Sequence, residues 1–439
     1  SGPIIFKRNI LRMMLRLKMI GPERKHRKTG AYNTEEHRRA VLDVARESMI
    51  LLKNEDQVLP LQAESGCKVA VIGANAAAIH SNGGGSAEIK ALYEISPLMG
   101  IKKLLGGNVK VSYAPGYVIP DKKEASEINW QAASTETAED TEKESTISGR
   151  ALDEKQQEAL AEAVALAKAS DIVIFVGGLN HDFDVEGLDR VNMKLPYGQD
   201  EVIDALLKAV PDTVVCMYAG APVEMPWAEK AKAILWSYYA GMEGGTALAE
   251  ILSGKVNPSG KLAETFIRDA SQCPAHTIGT FGKKDRVEYR EGVMVGYRYY
   301  DTKKTEVLFP FGHGLSYTAF TYNDLEIIRQ QENGRQTVKV SCSVTNTGKC
   351  AGKETIQIYV APEQKKDRPV HELKAFEKVR LDAGETKRIC VILEERDFSR
   401  YDTDKKMPVP VNGTYEIQVG ASSTDICLCG KIDLFFAEG

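Results

Sequence analysis

Four carboxylates crowd one short stretch near the middle of the chain, between Gly178 and Arg190. They are Asp182, Asp184, Glu186 and Asp189. Crowded carboxyl groups raise one another's pKa, and a carboxyl with a raised pKa can act as a general acid near neutral pH. A solvated acidic loop or a divalent-cation site would use the same residue types. Arg190 argues against the cation site, because its permanent positive charge opposes metal binding and more naturally pairs with one acid.

The acidic stretch lies between a predicted strand and a predicted helix. The apolar run 172–176 precedes it, and a helical pattern opens near Gln199. Other apolar runs predict strands at 68–73, 109–113, 213–218 and 233–238, and helical periodicity predicts helices near 98–105, 153–169, 199–210 and 246–253. Continuous apolar strands separated by amphipathic helices indicate a mostly parallel α/β sheet that is covered on both faces.

Several of these strands are followed by glycine, namely Gly73, Gly177, Gly220 and Gly241. In an open α/β sheet, ligands bind beyond the carboxyl ends of the strands. The loops 74–87, 178–190, 220–223 and 241–245 are therefore predicted to converge on one rim that carries Glu186.

A glycine-rich segment, Gly83-Gly-Gly-Ser-Ala87, belongs to the first of these loops. It matches neither GxGxxG at a strand–helix turn nor GxxxxGK[ST], so it favours nucleotide binding only weakly. Glycines here would let backbone amides approach a neutral ligand closely, or they would form a tight surface loop. The residues leave both interpretations open.

The N-terminal region is basic and helical in pattern. Between Ile4 and Lys28, apolar residues recur at helical spacing, namely Ile10, Met13, Met14 and Leu17. We favour a helix that packs on another domain over one that lies on a membrane. A second helix is predicted to start at a cap formed by Asn33 or Thr34 and to run through to Asn54. Segment 121–148 is polar and is predicted to be a solvated loop or an insertion.

From about Thr318 the pattern changes to alternation with a period of two. Three runs illustrate it: Val338 to Val344, Ile356 to Val360, and Tyr415 to Val419. About seven short strands separated by turns predict an all-β sandwich of the fibronectin type III kind. The predicted domains are therefore residues 1–60, 61–317 and 318–439.

Composition excludes few partners by itself. The chain has 57 basic and 61 acidic residues and a formal charge of −4, which gives no argument for nucleic acid or an anionic membrane as a partner. No apolar run approaches the roughly 20 residues that span a bilayer. Its eight cysteines are scattered outside CxxC pairs, so no metal or redox cofactor is predicted, and this usage favours a cytoplasmic location over a periplasmic or secreted one.

A set of segments in a fixed order resembles glycoside hydrolase family 3, which includes β-glucosidases and β-xylosidases. The segments are Ala45–Asn54 with Leu59-Pro-Leu61, Gly83–Ala87, Val176–Asn180, Glu186-Gly-Leu-Asp-Arg190 with Met193–Pro196, Gly220–Glu224, Asn257–Leu262, Glu291–Asp301 and Phe309–Tyr317. The resemblance implies a (β/α)8 barrel with an Asp nucleophile, an α/β sandwich with a Glu acid/base, and a fibronectin type III-like domain.

The resemblance also implies roles for individual residues. Glu186 would be the acid/base, Asp184, Asp189 and Arg190 would support its loop, and Gly84, Gly85 and Ser86 would lie beside the sugar. Glu243 is a rival acid, but its segment resembles a structural or binding position.

The chain departs from the family pattern because it lacks the barrel. A retaining glycosidase needs two carboxyl groups about 5–5.5 Å apart, and only one is expected here. We therefore expect the chain to be part of a retaining, exo-acting β-glucosidase whose barrel comes from the full-length protein or a second chain, with the N-terminal helix as docking element. Two alternatives are a non-catalytic carbohydrate-binding or scaffolding fragment and a nucleotide-binding α/β protein.

Overall fold

A computed structural model describes residues 2–25, 30–120, 149–187, 189–190, 192–282, 286–332, 335–363 and 368–436. The polar segment 121–148, predicted to be a solvated loop, lies outside the described residues. The chain forms two compact units, residues 1–40 and 41–439.

The N-terminal region contains two helices, α1 (Gly2–Arg16) and α2 (Glu35–Ser48). The predicted basic helix is confirmed as α1, in which Ile10 and Met13 are exposed. The predicted start of α2 is also confirmed, because Thr34 Oγ1 accepts a hydrogen bond from His37 N–H at 3.3 Å, as an N-cap does. Two acidic residues in the first turn of α2 stabilise the helix, because their negative charges lie at the positive end of the helix dipole.

A six-stranded sheet forms the centre of the α/β region. Its strands are β1 (Ile50–Asn54), β2 (Lys68–Ile72), β3 (Lys110–Ala114), β4 (Ile172–Gly178), β5 (Val214–Tyr218) and β6 (Ala233–Trp236). The spatial order is β1-β6-β5-β4-β2-β3, and every pair is parallel except β1 with β6. The predicted mostly parallel sheet is confirmed.

Helices connect the strands and follow the sheet. They are α3 (Ala74–Ala77), α4 (Pro97–Leu105), α5 (Gly149–Lys168), α6 (Gln199–Ala209), α7 (Gly244–Leu252), α8 (Pro274–Thr277) and α9 (Tyr297–Lys303), with short 3-10 turns at Gly85–Ala87, Ala270–Gln272 and Glu395–Phe398.

Two hydrophobic cores lie on opposite faces of the sheet. In β4, Val173 and Phe175 pack into one core with α5 and α6, whereas Ile174 and Val176 pack into the other with α4 and α7. This alternation explains why the strand is a continuous apolar run, since both of its faces are covered. Each fully buried side chain of this size contributes about 1.5–3 kcal/mol, so the frame under the strand ends is firmly held.

The prediction that the second helix continues to Asn54 is wrong. The helix ends at Ser48, and residues 50–54 form β1, which pairs antiparallel with β6 at the edge of the sheet. Met49, Ile50, Leu51 and Leu52 are consecutive and all buried. A surface helix would turn part of such a run to solvent, whereas a strand covered on both faces buries every residue.

Among the described residues after Thr318, nine strands form the C-terminal all-β region, against the predicted seven or so. They are β7 (Phe320–Glu332), β8 (Arg335–Asn346), β9 (Gly352–Pro362), β10 (Glu372–Leu381), β11 (Thr386–Glu394), β12 (Ser399–Asp402), β13 (Met407–Pro410), β14 (Gly413–Gly420) and β15 (Ile426–Leu434). Sheets β10-β9-β14-β15 and β11-β8-β7 share one core, and β12–β13 form a hairpin. The predicted all-β sandwich is confirmed.

Ion pairs, one of them largely buried, join the α/β region to the sandwich. Lys261, in the loop after α7, lies 3.0 Å from Glu354 of β9, and both side chains are largely buried. Glu47 of α2 accepts hydrogen bonds from Lys378 of β10 and Lys353 of β9. A third hydrogen bond reaches Glu47 from Ser259 Oγ at 3.2 Å. The sandwich is therefore attached by charged groups at several points.

We expect the Glu47 contact to stabilise the fold at neutral pH and to lose its effect in acid. Burial disfavours the charged form of Glu47, but hydrogen bonds from Lys353 and Lys378 outweigh this and hold its pKa below the ordinary value of 4.5. A lowered carboxyl pKa gives stability that is present above the unfolded pKa and disappears as the pH falls through the folded one. The Tm difference between wild type and Glu47→Gln should therefore shrink below about pH 4.5.

Calorimetry between about pH 7 and pH 3 checks this prediction. The matched control is Glu363→Gln, which removes an exposed pair with Lys431 at 3.4 Å; such surface pairs contribute about 0–1 kcal/mol. A Tm difference for Glu47→Gln that stays constant across this pH range would contradict the assignment.

Candidate active site

Hydrogen bonds join the loops at the carboxyl ends of the parallel strands. Gly84 N–H donates to the Asp184 carbonyl at 3.0 Å, and Gly241 N–H donates to the Ser81 carbonyl at 3.0 Å. Gly220 N–H donates to Asp184 Oδ2 at 2.6 Å. All four loops predicted to converge on one rim are thus in contact.

Glu186 lies at an exposed turn of this rim, directly after a short bridge between Gly84 and Val185. Its Oε2 accepts a hydrogen bond from Ser86 N–H at 3.1 Å and another from the Ser86 hydroxyl. The carboxylate is therefore oriented by the glycine-rich segment and remains open to solvent, as a group that exchanges protons with a bound molecule must be.

Gly85 permits the close approach of the two loops. Its φ is +79°, and a Cβ atom there would lie 2.8 Å from Glu186 Cβ and 3.0 Å from Glu186 N. Only glycine combines this left-handed backbone with the missing side chain. This contact is with the protein's own Glu186, so both interpretations of the glycine-rich segment stay predictions.

Asp184 is half-buried in the rim, and its carboxylate is bound by the protein. Its Oδ2 accepts from Gly220 N–H and from the Tyr239 hydroxyl at 2.9 Å. Burial, together with the Asp184 carboxylate, raises the pKa of Tyr239, so this hydroxyl stays protonated and donates. Asp184 therefore ties three loops together.

Asp189 and Arg190 are placed differently from each other. Asp189 is exposed, whereas Arg190 is half-buried and donates from Nη2 to the Pro222 carbonyl at 3.0 Å. No ion pair between Arg190 and Asp189 is found in the described part of the chain. Burial raises the pKa of Glu264. The positive charge of Arg190 acts in the opposite direction, because it favours the ionised form of that carboxyl.

The base of the acidic loop is fixed by polar residues that the sequence did not single out. Asn180 Nδ2 donates to the Tyr197 hydroxyl at 3.1 Å, and that hydroxyl donates to Asp182 Oδ2 at 3.1 Å. Burial, aided by the Asp182 carboxylate, raises the pKa of Tyr197 to about 12. Asp182 is therefore engaged from the protein side.

Gln199 at the start of α6 was missed as a supporting residue. It is fully buried, and its amide exchanges two hydrogen bonds with Gly178, from Gly178 N–H at 2.8 Å and to the Gly178 carbonyl at 2.9 Å. Tyr239 was missed too, although its position just after the β6 segment could have assigned it to the rim.

Replacing Gln199 with leucine should destabilise the protein by about 1–3 kcal/mol for each backbone group of Gly178 left without a partner. Urea unfolding measures the loss. Gln62→Leu is the matched control, because its exposed amide makes only one bond, at 3.3 Å to the Pro60 carbonyl. Equal stability of the two variants would rule out the bracing role of Gln199.

The rival acid Glu243 is occupied. Its Oε1 accepts from the Tyr93 hydroxyl at 2.7 Å and its Oε2 from Thr246 Oγ1 at 2.7 Å. Both oxygens thus fasten the start of α7 to its neighbours. Among the described residues there is no group of three or more His, Cys, Asp or Glu side chains arranged to hold a metal ion, and no helix there is long and apolar enough to cross a membrane.

Comparison with known proteins identifies the family. Residues 49–317 match the glycosyl hydrolase family 3 C-terminal domain, and residues 354–423 match the fibronectin type III-like domain. The chain therefore belongs to glycosyl hydrolase family 3, and it corresponds to the C-terminal part of the proteins in that family.

Individual relatives agree with this placement. The chain is 39% identical over 414 residues to thermostable beta-glucosidase B of Acetivibrio thermocellus, covering 94% of this chain and 50% of that protein. The crystal structure of a GH3 beta-glucosidase of Bifidobacterium adolescentis matches with a TM-score of 0.79 at 32% identity, over 98% of this chain and 60% of that one. DesR, a beta-glucosidase from Streptomyces venezuelae solved with D-glucose, matches with a TM-score of 0.84 at 26% identity, over 96% and 63%. The chain spans about half the length of the curated relatives it matches.

Proposed function

We propose that this chain supplies the acid/base half of a retaining, exo-acting β-glucosidase. Glu186 protonates the glycosidic oxygen of the leaving group and then, as a carboxylate, removes a proton from the water that attacks the glycosyl–enzyme. The observation that carries the proposal is the position of Glu186: an exposed carboxylate, oriented by Ser86, at the meeting point of four strand-end loops.

The other acids of the loop support this choice of residue. Asp184 Oδ2 already accepts two hydrogen bonds from the protein, and Asp182 Oδ2 also accepts two, from the Tyr197 hydroxyl and from Asn180 Nδ2. Asp189 lies three positions further on and makes no described contact with the glycine-rich segment. Glu186 alone combines exposure with a defined orientation toward that segment.

The second carboxylate comes from a (β/α)8 barrel, either in the full-length protein or in a second chain. Retention requires a nucleophilic carboxylate about 5–5.5 Å from the acid/base. The relatives are named β-glucosidases and are about twice as long as the stretch they share with this chain, which leaves room for such a domain. The substrate is then a glycoside with a terminal non-reducing β-linked glucose.

A reconstitution experiment tests the proposal. The part of thermostable beta-glucosidase B that lies outside the matched region is produced as a separate chain and mixed with this one, or the two are fused. We expect hydrolysis of cellobiose with β-glucose as the first product. NMR of the anomeric proton identifies which anomer forms first. A stable complex of folded partners without turnover would favour the non-catalytic alternative, in which this chain only binds carbohydrate or serves as a scaffold.

A further inference from the structure

Tyr239 follows strand β6 and lies among three other loops of the rim. Its hydroxyl donates to Asp184 Oδ2 at 2.9 Å. Its ring lies beside two glycines, because a Cβ atom at Gly220 would be 3.3 Å from Tyr239 Cε2 and one at Gly83 would be 4.0 Å from the same atom. This one side chain therefore lies against the acidic loop, the glycine-rich segment and the loop after β5.

The connection from Tyr239 to Glu186 runs through Asp184. The Asp184 side chain accepts from the Tyr239 hydroxyl, and its main-chain carbonyl accepts from Gly84 N–H at 3.0 Å. The bridge between Gly84 and Val185 follows directly, and Glu186 is the next residue. Asp184 is thus held at both its side chain and its main chain, which fixes the backbone that carries Glu186.

The filling of space does not explain the hydroxyl of Tyr239. A phenylalanine ring would have the same shape beside the two glycines. The hydroxyl is directed at an oxygen, Asp184 Oδ2, that also accepts from Gly220 N–H at 2.6 Å. Hydrogen bonds to an ionised group are roughly twice as strong as those between neutral groups. Two of them hold this carboxylate in one orientation.

We propose that Tyr239 is a positioning residue for the acid/base, because it fixes Asp184 and, through Asp184, the main chain that carries Glu186. This role rests on the proposed function of Glu186. A general acid must lie within hydrogen-bond reach of the oxygen that it protonates, and a displacement of about 1 Å can cost roughly 10²-fold in rate. Loss of the Tyr239 hydroxyl therefore affects proton transfer to the leaving group.

Kinetics of Tyr239→Phe in the reconstituted enzyme test this role, since the variant removes the hydroxyl and keeps the ring. We expect kcat/KM for cellobiose to fall by about tenfold to 10²-fold. For dinitrophenyl β-D-glucopyranoside it should fall by less than about threefold, because forming the glycosyl–enzyme from this substrate needs little protonation. Equal losses on the two substrates would indicate a merely structural role and overturn the inference.

Tyr93→Phe is the matched control. The Tyr93 hydroxyl also donates to a carboxylate, at 2.7 Å to Glu243 Oε1, but that carboxylate belongs to the start of α7 and not to the acidic loop. Its removal should leave the ratio of kcat/KM for the two substrates unchanged. The same change of ratio in Tyr93→Phe as in Tyr239→Phe would contradict the assignment.

Gly220→Ala tests the same connection from the other side of Asp184, and it serves if Tyr239→Phe does not fold. A Cβ atom there would lie 2.8 Å from Asp184 Oδ2, so the carboxylate must move although Tyr239 keeps its hydroxyl. The variant should show the same contrast between cellobiose and the dinitrophenyl glucoside. Equal losses on both would again overturn the inference.

Hydrogen exchange of this chain alone separates this role from the proposed function. In Tyr239→Phe the Gly84 amide should exchange about fivefold faster, the effect of about one net hydrogen bond, whereas in Tyr93→Phe it should exchange as in wild type. An unchanged Gly84 rate in folded Tyr239→Phe would overturn the inference. If the reconstituted wild type shows no turnover, the proposed function fails, and the exchange rate still decides whether Tyr239 fixes the loop.

Discussion

We expect Glu186→Gln to lower the turnover of unactivated β-glucosides by about 10²- to 10⁴-fold when this chain is completed by a barrel. Glutamine is isosteric with glutamate and can still accept the Ser86 hydrogen bonds, so the loop should keep its geometry. It cannot supply a proton to the glycosidic oxygen. For aryl glucosides with good leaving groups the loss in kcat/KM should be much smaller, because forming the glycosyl–enzyme then needs little protonation. Their kcat should still fall, because hydrolysis of the glycosyl–enzyme has lost its general base.

A chemical rescue distinguishes Glu186 from the neighbouring acids. In Glu186→Ala, external azide should restore turnover of an activated glucoside and give a β-glucosyl azide, since azide attacks the glycosyl–enzyme without a general base. Glu88→Gln is the matched control, because Glu88 is exposed beside the same segment, and it should behave as wild type. Rescue of an Asp184 or Glu243 variant, with none for Glu186→Ala, would refute the assignment.

Gly85→Ala should damage the site by adding a single methyl group. The new Cβ would lie 2.8 Å from Glu186 Cβ, so the two loops must separate. A displacement of catalytic groups by about 1 Å can cost roughly 10²-fold in rate. We expect a loss of that order in kcat with a small change in KM, measured on the reconstituted enzyme with cellobiose.

Backbone strain must be separated from this steric effect. Gly66 has a φ of +88°, close to the +79° of Gly85, but a Cβ at Gly66 would have no neighbour within 4 Å. Gly66→Ala therefore carries the left-handed strain of about 1–2 kcal/mol without the contact. Equal activity losses in the two variants would show that strain, and not the approach to Glu186, limits the enzyme.

Local patterns predicted the parts of the site that depend on neighbouring residues in the sequence. The run 172–176 and the helix near Gln199 are β4 and α6, and strand-end glycines marked loops that do meet. Because ligands bind beyond the carboxyl ends of the strands in an open α/β sheet, Glu186 was then predicted to lie on the rim. The domain boundaries, the location in the cell and the roles of the site residues remain predictions.

Long-range partners were what the sequence could not supply. The apolar residues 49–52 follow a helix without a glycine or proline between them, and only pairing with β6 makes them a strand. Gln199 looks like an ordinary polar residue at a helix start until Gly178 is seen beside it.

Strand β1 also has a consequence for synthesis of the chain on the ribosome. Its partner β6 is translated roughly 180 residues later, which takes about 10–40 s at usual elongation rates. During that time Ile50, Leu51 and Leu52 leave the exit tunnel with no strand to pair with. Folding of the sheet therefore cannot be completed strictly from the N-terminus, and the nascent chain offers chaperones an apolar segment until Trp236 has emerged.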